Sequence, residues 1–304
     1  MNVQNPAASR GIAIQAVDLV KNYGAGSNMV HALRGVNVSF ERGKFTAIMG
    51  PSGSGKSTLM HTLAGLDSAT SGHILFGGAD LTCMDDKQLT LLRRHKIGFI
   101  FQSFNLLPMF TAEQNILMPL TLAGDKPDRA WFDLLVDTLG LKQRLNHRPN
   151  ELSGGQQQRV AIARALITKP KLVFADEPTG NLDSVSSAEV LGFLKRSVNE
   201  LGQTIVMVTH DAVAASYADR AIVFADGQIV ADEANPTAET MNELLMAERE
   251  RATRTAVTST RADTLARLAG VKDVPNLPIT DAPLPPAGRT GTMRHARAAA
   301  QHAR

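Results

Sequence analysis

Short segments in which apolar residues alternate with polar ones, or form brief apolar runs, predict the strands of this chain. Alternation places successive side chains on opposite faces of a sheet, whereas a continuous apolar run is typical of a strand that is buried on both faces. Segments of one kind or the other occupy residues 12–22, 36–40, 45–49, 96–101, 172–175, 204–209 and 221–231. Hairpin signals occur twice, because Gly77-Gly78 lies at the centre of 73–81 and Asp226-Gly227 lies within the last segment.

Helical spacing of apolar residues separates these segments. After a glycine-rich loop at 50–55, Leu59, Leu63 and Leu66 recur on one helical face, and the spacing is helical again over most of 103–168. Mostly apolar strands that alternate with helices are typical of a parallel sheet covered on both faces. We therefore predict an α/β fold with a helical insertion at about residues 103–168.

The composition is that of an ordinary globular protein and gives no sign of a membrane span. Apolar residues make up 43% and charged residues 20% of the 304 residues. No apolar run approaches the ~18 residues that a membrane-spanning helix needs, and residues 1–10 lack the layout of a secretory signal. We therefore expect a cytoplasmic protein, whose single cysteine, Cys83, forms no internal disulfide and lacks activating neighbours.

The excess of positive charge belongs to the end of the chain. Residues 249–304 hold 10 Lys and Arg against 4 Asp and Glu, which leaves 22 against 25 for residues 1–248. A slightly acidic body with a basic appendage argues against nucleic acid as a partner.

The composition also changes along the chain in a way that predicts a domain boundary. We predict one domain at 1–235 and a C-terminal extension at 236–304, in which Met241, Leu244 and Leu245 form a short helix. The second half of the extension is rich in Pro, Ala and Arg and poor in large apolar residues, which predicts disorder. Its arginines fit a solvated run, or alternatively attraction to an anionic membrane surface.

The first chemical motif, G-x-x-x-x-G-K-[ST], lies between a predicted strand and a predicted helix, as that motif requires. Glycines let successive backbone N–H groups turn inward around phosphate oxygens, and the positive end of the helix adds to the attraction. In this motif Lys56 reaches the β- and γ-phosphates, and the hydroxyl of Ser57 holds Mg²⁺. The predicted phosphate-binding residues are Gly50, Pro51, Ser52, Gly53, Ser54, Gly55, Lys56, Ser57 and Thr58.

Two acidic residues, Asp176 and Glu177, follow the apolar segment 172–175. Taken alone, such a pair is as often the end of a strand that runs into solvent. Beside a phosphate loop, Asp176 is placed to anchor the Mg²⁺ shell, and Glu177 is placed to polarise the attacking water.

A second anion-receiving helix start is predicted in the middle of the chain. Ser153, Gly154, Gly155 and Gln156 precede a helical pattern at 160–167, so that backbone amides and a hydroxyl are exposed there. The alternative is an ordinary N-cap, because serine is common before helices. Two phosphate-type cradles in a chain with one nucleotide loop favour the first interpretation. With this Leu-Ser-Gly-Gly-Gln sequence, the chain resembles the ATP-binding cassette (ABC) family.

Further residues match the pattern of that family in the same order along the chain. Tyr23 stands where the family stacks an aromatic ring on adenine, and Gln102 matches the glutamine of its Q-loop. Asp183 ends the D-loop sequence Gly-Asn-Leu-Asp, and His210 matches the switch histidine. Each residue alone is more often structural, but their order and their places at strand ends support one another.

The resemblance covers about residues 12–231 and extends to a subgroup. Residues 101–108 and 176–183 resemble the group that includes lipoprotein-release and macrolide-export ATPases and the cell-division ATPase FtsE. The resemblance implies a P-loop NTPase fold of the ABC-cassette type, in which a parallel sheet is accompanied by an antiparallel β subdomain and a helical insertion.

The resemblance also implies ATP hydrolysis with Mg²⁺ and assigns roles to individual residues. The catalytic residues that it implies are Lys56, Gln102, Glu177 and His210. The metal contacts that it implies are Ser57, Gln102 and Asp176. Nucleotide contacts beyond the phosphate loop are implied for Tyr23, Ser153, Gly154, Gly155, Gln156 and, across a dimer interface, Asp183.

Two partners are implied by the same resemblance. One is a second ATP-binding subunit, expected to be an identical copy packed head to tail, and the other is an integral membrane permease that would hold the chain at the cytoplasmic face of the membrane. The apolar segment 104–120, with Met109 and Phe110, either packs the insertion or forms the groove for the permease. Transport powered by ATP is the expected function, and the alternative is an FtsE-like role in transmitting force across the membrane without transport.

Overall fold

A six-stranded sheet forms the centre of the protein in the computed structural model, which describes residues 11–268. Five strands are parallel to their neighbours, and the edge strand β10 is antiparallel to β9, which it follows through the Asp226-Gly227 turn. The spatial order is β10-β9-β3-β8-β7-β6. The strands are β3 (Phe45–Met49), β6 (Ile97–Phe101), β7 (Leu172–Asp176), β8 (Ile205–Val208), β9 (Arg220–Ala225) and β10 (Gln228–Ala234).

A separate four-stranded antiparallel sheet has the order β2-β1-β4-β5 and is the predicted antiparallel subdomain. The hairpin predicted around Gly77-Gly78 is confirmed, because both glycines have positive φ between β4 and β5. The strand predicted at 36–40 begins earlier, since residues 30–35 pair with the end of β1 while most of their side chains stay exposed. The strands are β1 (Ile12–Tyr23), β2 (Val30–Glu41), β4 (Ser71–Phe76) and β5 (Ala79–Asp80).

Eight α-helices occur within the described residues, and three of them build the predicted helical insertion and its link to the core. The prediction for Leu66 is wrong: α1 ends at Leu63, Gly65 turns the chain with φ +63°, and Leu66 is 47% exposed. The helices are α1 (Lys56–Leu63), α2 (Asp86–Lys96), α3 (Ala112–Ala123), α4 (Arg129–Thr138), α5 (Gly154–Leu166), α6 (Ser184–Leu201), α7 (Ala212–Ala215) and α8 (Ala238–Leu268).

Two apolar clusters make up the core. One lies between the central sheet and helices α3 to α6, and it includes Phe45, Leu135 and Phe193. The other joins α1 to both sheets through Phe40, Leu59 and other aliphatic and aromatic side chains. The phosphate-loop helix is therefore held between the two sheets, which gives the loop before it a rigid support.

The helix predicted around Met241, Leu244 and Leu245 is longer than expected, because α8 contains 31 residues. Met241 is fully buried in the larger apolar cluster, and Leu244 and Leu245 pack against it. One compact unit ends at Thr253 and a second begins at Arg254. The boundary at 235 stays a prediction, and the disorder predicted for the second half of the extension falls outside the described residues.

None of the helices in residues 11–268 is long and apolar enough to cross a membrane.

Candidate functional site

The parallel strands bring four of the predicted site segments to one edge of the sheet. The phosphate loop follows β3, and Asp176 is the last residue of β7, directly before Glu177. Gln102 and His210 follow shortly after the ends of β6 and β8. Because these four strands are parallel neighbours, their carboxyl ends meet, and such an edge is where open α/β sheets bind ligands. The order of the strands therefore brings these residues close together, whereas their spacing along the chain only suggested that they meet.

The phosphate loop has a backbone that only glycine adopts without strain. Gly50 has φ +147°, and a Cβ there would lie 1.9 Å from the carbonyl oxygen of Phe224. Gly55, the residue before α1, has φ +104°, and a Cβ there would lie 2.4 Å from the carbonyl oxygen of Ala32. The loop therefore packs closely against β9 and β2. The side of the loop that could bind a phosphate faces away from these strands.

Lys56 folds back over this loop. Its Nζ donates to the carbonyl oxygens of Gly50 and Pro51 at 2.9 and 2.7 Å. Burial lowers the pKa of Lys56, while the carboxylates of Glu177 and Asp176 act in the opposite direction. The ammonium is therefore held within reach of an anion in the loop and has little bulk water around it.

A cavity of about 610 Å³ opens beside the loop. This volume lies within the range of small-molecule sites. Its wall includes the start of β2 and the β9–β10 turn, which sequence reasoning did not single out. The lining residues are Tyr23, Met29, Val30, His31, Ala32, Arg34, Gly53, Ser54, Gly55, Lys56, Ser57, Thr58, Asp226 and Gly227.

Ser57 and Asp176 face each other across the phosphate loop. The Oγ of Ser57 lies 3.5 Å from Oδ1 of Asp176. Burial raises the pKa of Asp176, and the imidazole of His61, 4.0 Å from its other oxygen, opposes that shift. Within the described residues, no group of three or more His, Cys, Asp and Glu is placed to hold a metal. Hydroxyl and carboxylate oxygens suit Mg²⁺, which takes few protein ligands and completes its shell with phosphates and water.

Glu177 and His210 form a direct pair. Nδ1 of His210 lies 3.0 Å from Oε1 of Glu177, and the backbone of Glu177 takes an uncommon φ of +45°. The N–H of Glu177 donates to the carbonyl of Val208 in the neighbouring strand at 2.9 Å, which holds this turn in place. The pair can orient a water molecule and accept a proton from it.

Gln102 is engaged with the D-loop. Its Nε2 donates to Oδ1 of Asn181 at 3.2 Å, and Nδ2 of Asn181 donates back to the carbonyl of Gln102 at 3.0 Å. Gly180 leaves room for this contact, because a Cβ there would lie 2.7 Å from Nε2 of Gln102 and the glutamine side chain would have to shift. The structure therefore brings Gln102 to Asn181, and among the described residues no hydrogen bond joins it to Ser57 or Asp176.

The second predicted cradle is the start of α5, which begins at Gly154 rather than at 160. Ser153 is its N-cap: Ser153 Oγ accepts from Gln156 N at 3.3 Å, and Gln156 Oε1 accepts from Ser153 N at 3.0 Å. This is the ordinary capping role, and the N–H groups of the half-buried Gly154 and the buried Gly155 have no carbonyl partner within the helix and could receive an anion. Ser153, Gly154 and Gly155 do not line the Lys56 cavity.

Asp183 ties the D-loop to this helix start. Its carboxylate caps α6 by accepting from the N–H groups of Val185 and Ser186, and hydrogen bonds from Ser186 hold its pKa below the ordinary value. Ser186 in turn lies against α5, since a Cβ on Gly155 would be 2.8 Å from its Oγ. The second cradle and the D-loop thus form one continuous surface.

Gln158 is a residue of this region that sequence reasoning missed. It is fully buried, and its Nε2 donates to the carbonyl of Pro178 at 2.5 Å and approaches that of Phe101 at 3.5 Å. It therefore connects α5 to the ends of β6 and β7. The signal in the sequence was helical spacing, because Gln158 shares the buried face of α5 with Ile162 and Ala165.

Part of the apolar segment 104–120 lines a cavity, through Asn105, Met118 and Pro119. An apolar cavity of about 560 Å³ lies between β6, α3 and α5, and Phe99, Phe101 and Leu122 are among its lining residues. Met109 and Phe110 do not line it, because they lie in the loop before α3, where Met109 is 66% exposed.

Known proteins share the sequence and the fold of this chain over most of its length. The family model for ABC transporters matches residues 33–180. The chain is 48% identical over 221 residues to the lipoprotein-releasing system ATP-binding protein LolD of Geobacter metallireducens, covering 72% of this chain and 98% of that protein. It is 49% identical over 220 residues to the macrolide export ATP-binding/permease protein MacB of Syntrophobacter fumaroxidans, covering 71% of this chain and 31% of that protein.

A solved structure matches as well. The ATP-binding cassette MJ0796, determined as a dimer in a post-hydrolysis state bound to ADP and Pi, superposes with a TM-score of 0.67 at 40% sequence identity. The match covers 73% of this chain and 98% of that one. The chain therefore spans nearly the whole of LolD and of this cassette, and about a third of MacB.

Proposed function

Because the chain belongs to the ABC transporter family, whose cassettes bind and hydrolyse ATP, we propose that it is the ATP-hydrolysing subunit that powers a separate membrane permease. The observation that carries this proposal is the meeting of Lys56, Asp176, Glu177 and His210 at the carboxyl edge of one sheet. Likeness to LolD and MacB supports a role in lipoprotein release or export.

In this proposal the triphosphate lies in the phosphate loop. The loop amides and Lys56 bind the β- and γ-phosphates, and Lys56 exchanges its two carbonyl partners for phosphate oxygens. Ser57 and Asp176, whose oxygens lie 3.5 Å apart, would hold Mg²⁺, and Gln102 would be a further ligand if it were released from Asn181. When bound, Mg²⁺ neutralises charge that develops on the phosphate oxygens.

Hydrolysis then needs only a positioned water. Glu177 accepts a proton from that water as its oxygen attacks the γ-phosphorus, and the bond to the bridging oxygen of ADP breaks. His210, 3.0 Å from Glu177, keeps the carboxylate turned toward the site and contacts the γ-phosphate. The adenine lies against Tyr23, which lines the same cavity.

A second copy of the chain completes the site. Between the capping residues Ser153 and Gln156, the N–H groups of Gly154 and Gly155 lie apart from the Lys56 cavity, so they can reach a γ-phosphate only in another molecule. Asp183, on the same surface, would then lie at the interface. Head-to-tail packing of two copies brings each helix start to the partner's triphosphate, as electrostatic positioning of a phosphoryl group requires.

The expected consequence is that turnover depends on protein concentration. A group supplied in trans is worth ~10³-fold or more in phosphoryl transfer, so turnover per chain should rise with concentration and level off when dimers are complete. The measurement is phosphate release over a dilution series, paired with sedimentation. Ser153→Arg is the matched control, because it blocks the second cradle and spares the Lys56 cavity. Its turnover should not rise with concentration. Monomers that turn over as fast as dimers would contradict the proposal.

We further propose that the apolar cavity between β6, α3 and α5 receives a helix of the permease. Its floor is aromatic and aliphatic, and Arg93, Arg94 and Arg164 stand at its wall. Arg164 donates to the backbone carbonyls of Phe104 and Asn105, so the loop after Gln102 is tied to the same cavity. A helix with an apolar face and an acidic residue fits this surface. Through Arg164, such a helix would be coupled to the loop that follows Gln102. It would hold the chain at the cytoplasmic face of the membrane.

Leu122→Glu should separate the chain from its permease without harming the cassette. Leu122 lines the cavity and is 70% exposed, so a charge there costs less than ~0.5 kcal/mol in stability but opposes an apolar helix. Leu134→Glu, at an exposed leucine of α4 outside the cavity, is the control. Proteins with membrane-spanning helices that co-purify with the tagged chain should be lost only with Leu122→Glu. Equal retention in both variants would refute the docking site.

A further inference from the structure

Tyr23, which lines the nucleotide cavity, forms a closed network with Lys21 and Asp67 that no motif describes. The hydroxyl of Tyr23 donates to Oδ2 of Asp67 at 2.5 Å, and Nζ of Lys21 donates to Oδ1 of the same carboxylate at 2.5 Å. The same Nζ lies 4.8 Å from the centroid of the Tyr23 ring. We call Lys21, Tyr23 and Asp67 the base cluster.

The network is more than a surface ion pair. The side chain of Lys21 is only 9% exposed, and it also donates to the carbonyl of Ser68 at 2.6 Å. Burial pushes the pKa of Asp67 upward, but the hydrogen bonds from Lys21 and Tyr23 hold it below the ordinary value. Both carboxylate oxygens of Asp67 therefore accept a hydrogen bond. These bonds hold the Asp67 side chain in one orientation.

The base cluster also connects Tyr23 to the phosphate loop. Asp67 lies beyond the end of α1 at Leu63, and its N–H donates to the carbonyl of His61 in the last turn of that helix at 3.3 Å, so the carboxylate is tied to the helix that begins in the phosphate loop. The end of β1 is joined to this region again, because the N–H of Asn22 donates to Oγ1 of Thr70 at 2.9 Å. The ring is therefore held at a set distance from the place where phosphates bind.

We propose that Lys21 and Asp67 are positioning residues that present one face of Tyr23 to the adenine of the nucleotide. Lys21 covers one face of the ring and leaves the other for the base. A ring held in one orientation binds a flat partner without losing further side-chain freedom. The inference rests on the proposed function, because it requires that a nucleotide occupies the Lys56 cavity.

Mg·ADP and Mg·pyrophosphate separate base binding from phosphate binding, and neither is turned over. By calorimetry, Tyr23→Phe and Asp67→Asn should each raise the Kd for ADP by about two- to tenfold, as expected for a weakened aromatic contact. Lys21→Met should act in the same direction. The Kd for pyrophosphate should change less than about twofold. Adding Asp67→Asn to Tyr23→Ala should have no further effect on ADP, because the ring through which it acts is gone.

A second cluster of the same kind provides the control. Lys169 lies 5.4 Å from the Trp131 ring and 2.8 Å from Oδ2 of Asp128, and both Trp131 and Lys169 line a different cavity. Asp128→Asn, which keeps an N-cap, should leave both affinities unchanged.

Equal weakening of ADP and pyrophosphate in Asp67→Asn would overturn the inference, since it would mean that the phosphate loop itself is disturbed. Unchanged ADP affinity in Tyr23→Phe and Asp67→Asn would overturn it as well. Failure of the unaltered chain to bind either ligand would instead overturn the proposed function, and the inference with it.

Discussion

Replacing Glu177 with glutamine should slow ATP hydrolysis by ~10²–10⁴-fold, the usual worth of a general base, while ATP stays bound. The carboxylate is the group placed to take the proton from water, and His210 holds it from 3.0 Å away. Glutamine keeps the size and can still bond to His210, but it cannot accept that proton. Since ATP then persists between two copies, the dimer should accumulate.

Phosphate release and light scattering measure the two effects together. Glu200→Gln removes a charge from an exposed position of α6 and is the control, with turnover and oligomeric state unchanged. A Glu177→Gln protein with normal turnover would show that another group activates the water, and the role assigned to Glu177 would be withdrawn.

Replacing Lys56 with alanine should weaken ATP binding by ~10- to 100-fold, because a charge-assisted hydrogen bond is worth about 1.5–3 kcal/mol. Lys56 is largely buried, and its Nζ already bonds to the carbonyls of Gly50 and Pro51. Truncation therefore removes the contact of Lys56 with the nucleotide and also its two hydrogen bonds to the backbone of the loop. Hydrolysis at subsaturating ATP should fall by at least the same factor.

The measurement is ATP affinity by equilibrium titration, with the melting temperature recorded alongside. Lys87→Ala, at an exposed position near the start of α2, is the matched control. Loss of affinity with an unchanged melting temperature supports direct phosphate binding. An affinity equal to that of the control would contradict it.

The two predictions probe different parts of the reaction. Lys56→Ala acts on binding, and Glu177→Gln acts on the chemical step after binding. If Lys56→Ala bound ATP normally and failed only in turnover, Lys56 would act only on the transition state and not in ground-state binding. Together they therefore test the geometry of the site and not only its composition.

The sequence by itself determined the strands of the central sheet and the place of the phosphate loop. Segments 45–49 and 172–175 are apolar apart from Thr46, which is typical of a short strand buried on both faces, and all their residues are buried. The glycines of the loop and the Asp226-Gly227 turn specify positive φ locally, and the structure has it at Gly50, Gly53 and Gly55. These are properties of a few adjacent residues, so a local pattern suffices.

Contacts between distant segments were decided only by the tertiary structure. The attachment of Gln102 to Asn181, the burial of Gln158 against Pro178, and the bond from Tyr23 to Asp67 join residues that lie 79, 20 and 44 positions apart. A polar side chain has the same local pattern whether it faces solvent or a partner, and the sheet order and helix packing choose between them. The chain thus carries its phosphate chemistry in local motifs, while the orientation of each side chain in the site depends on which strand ends and helix starts are neighbours.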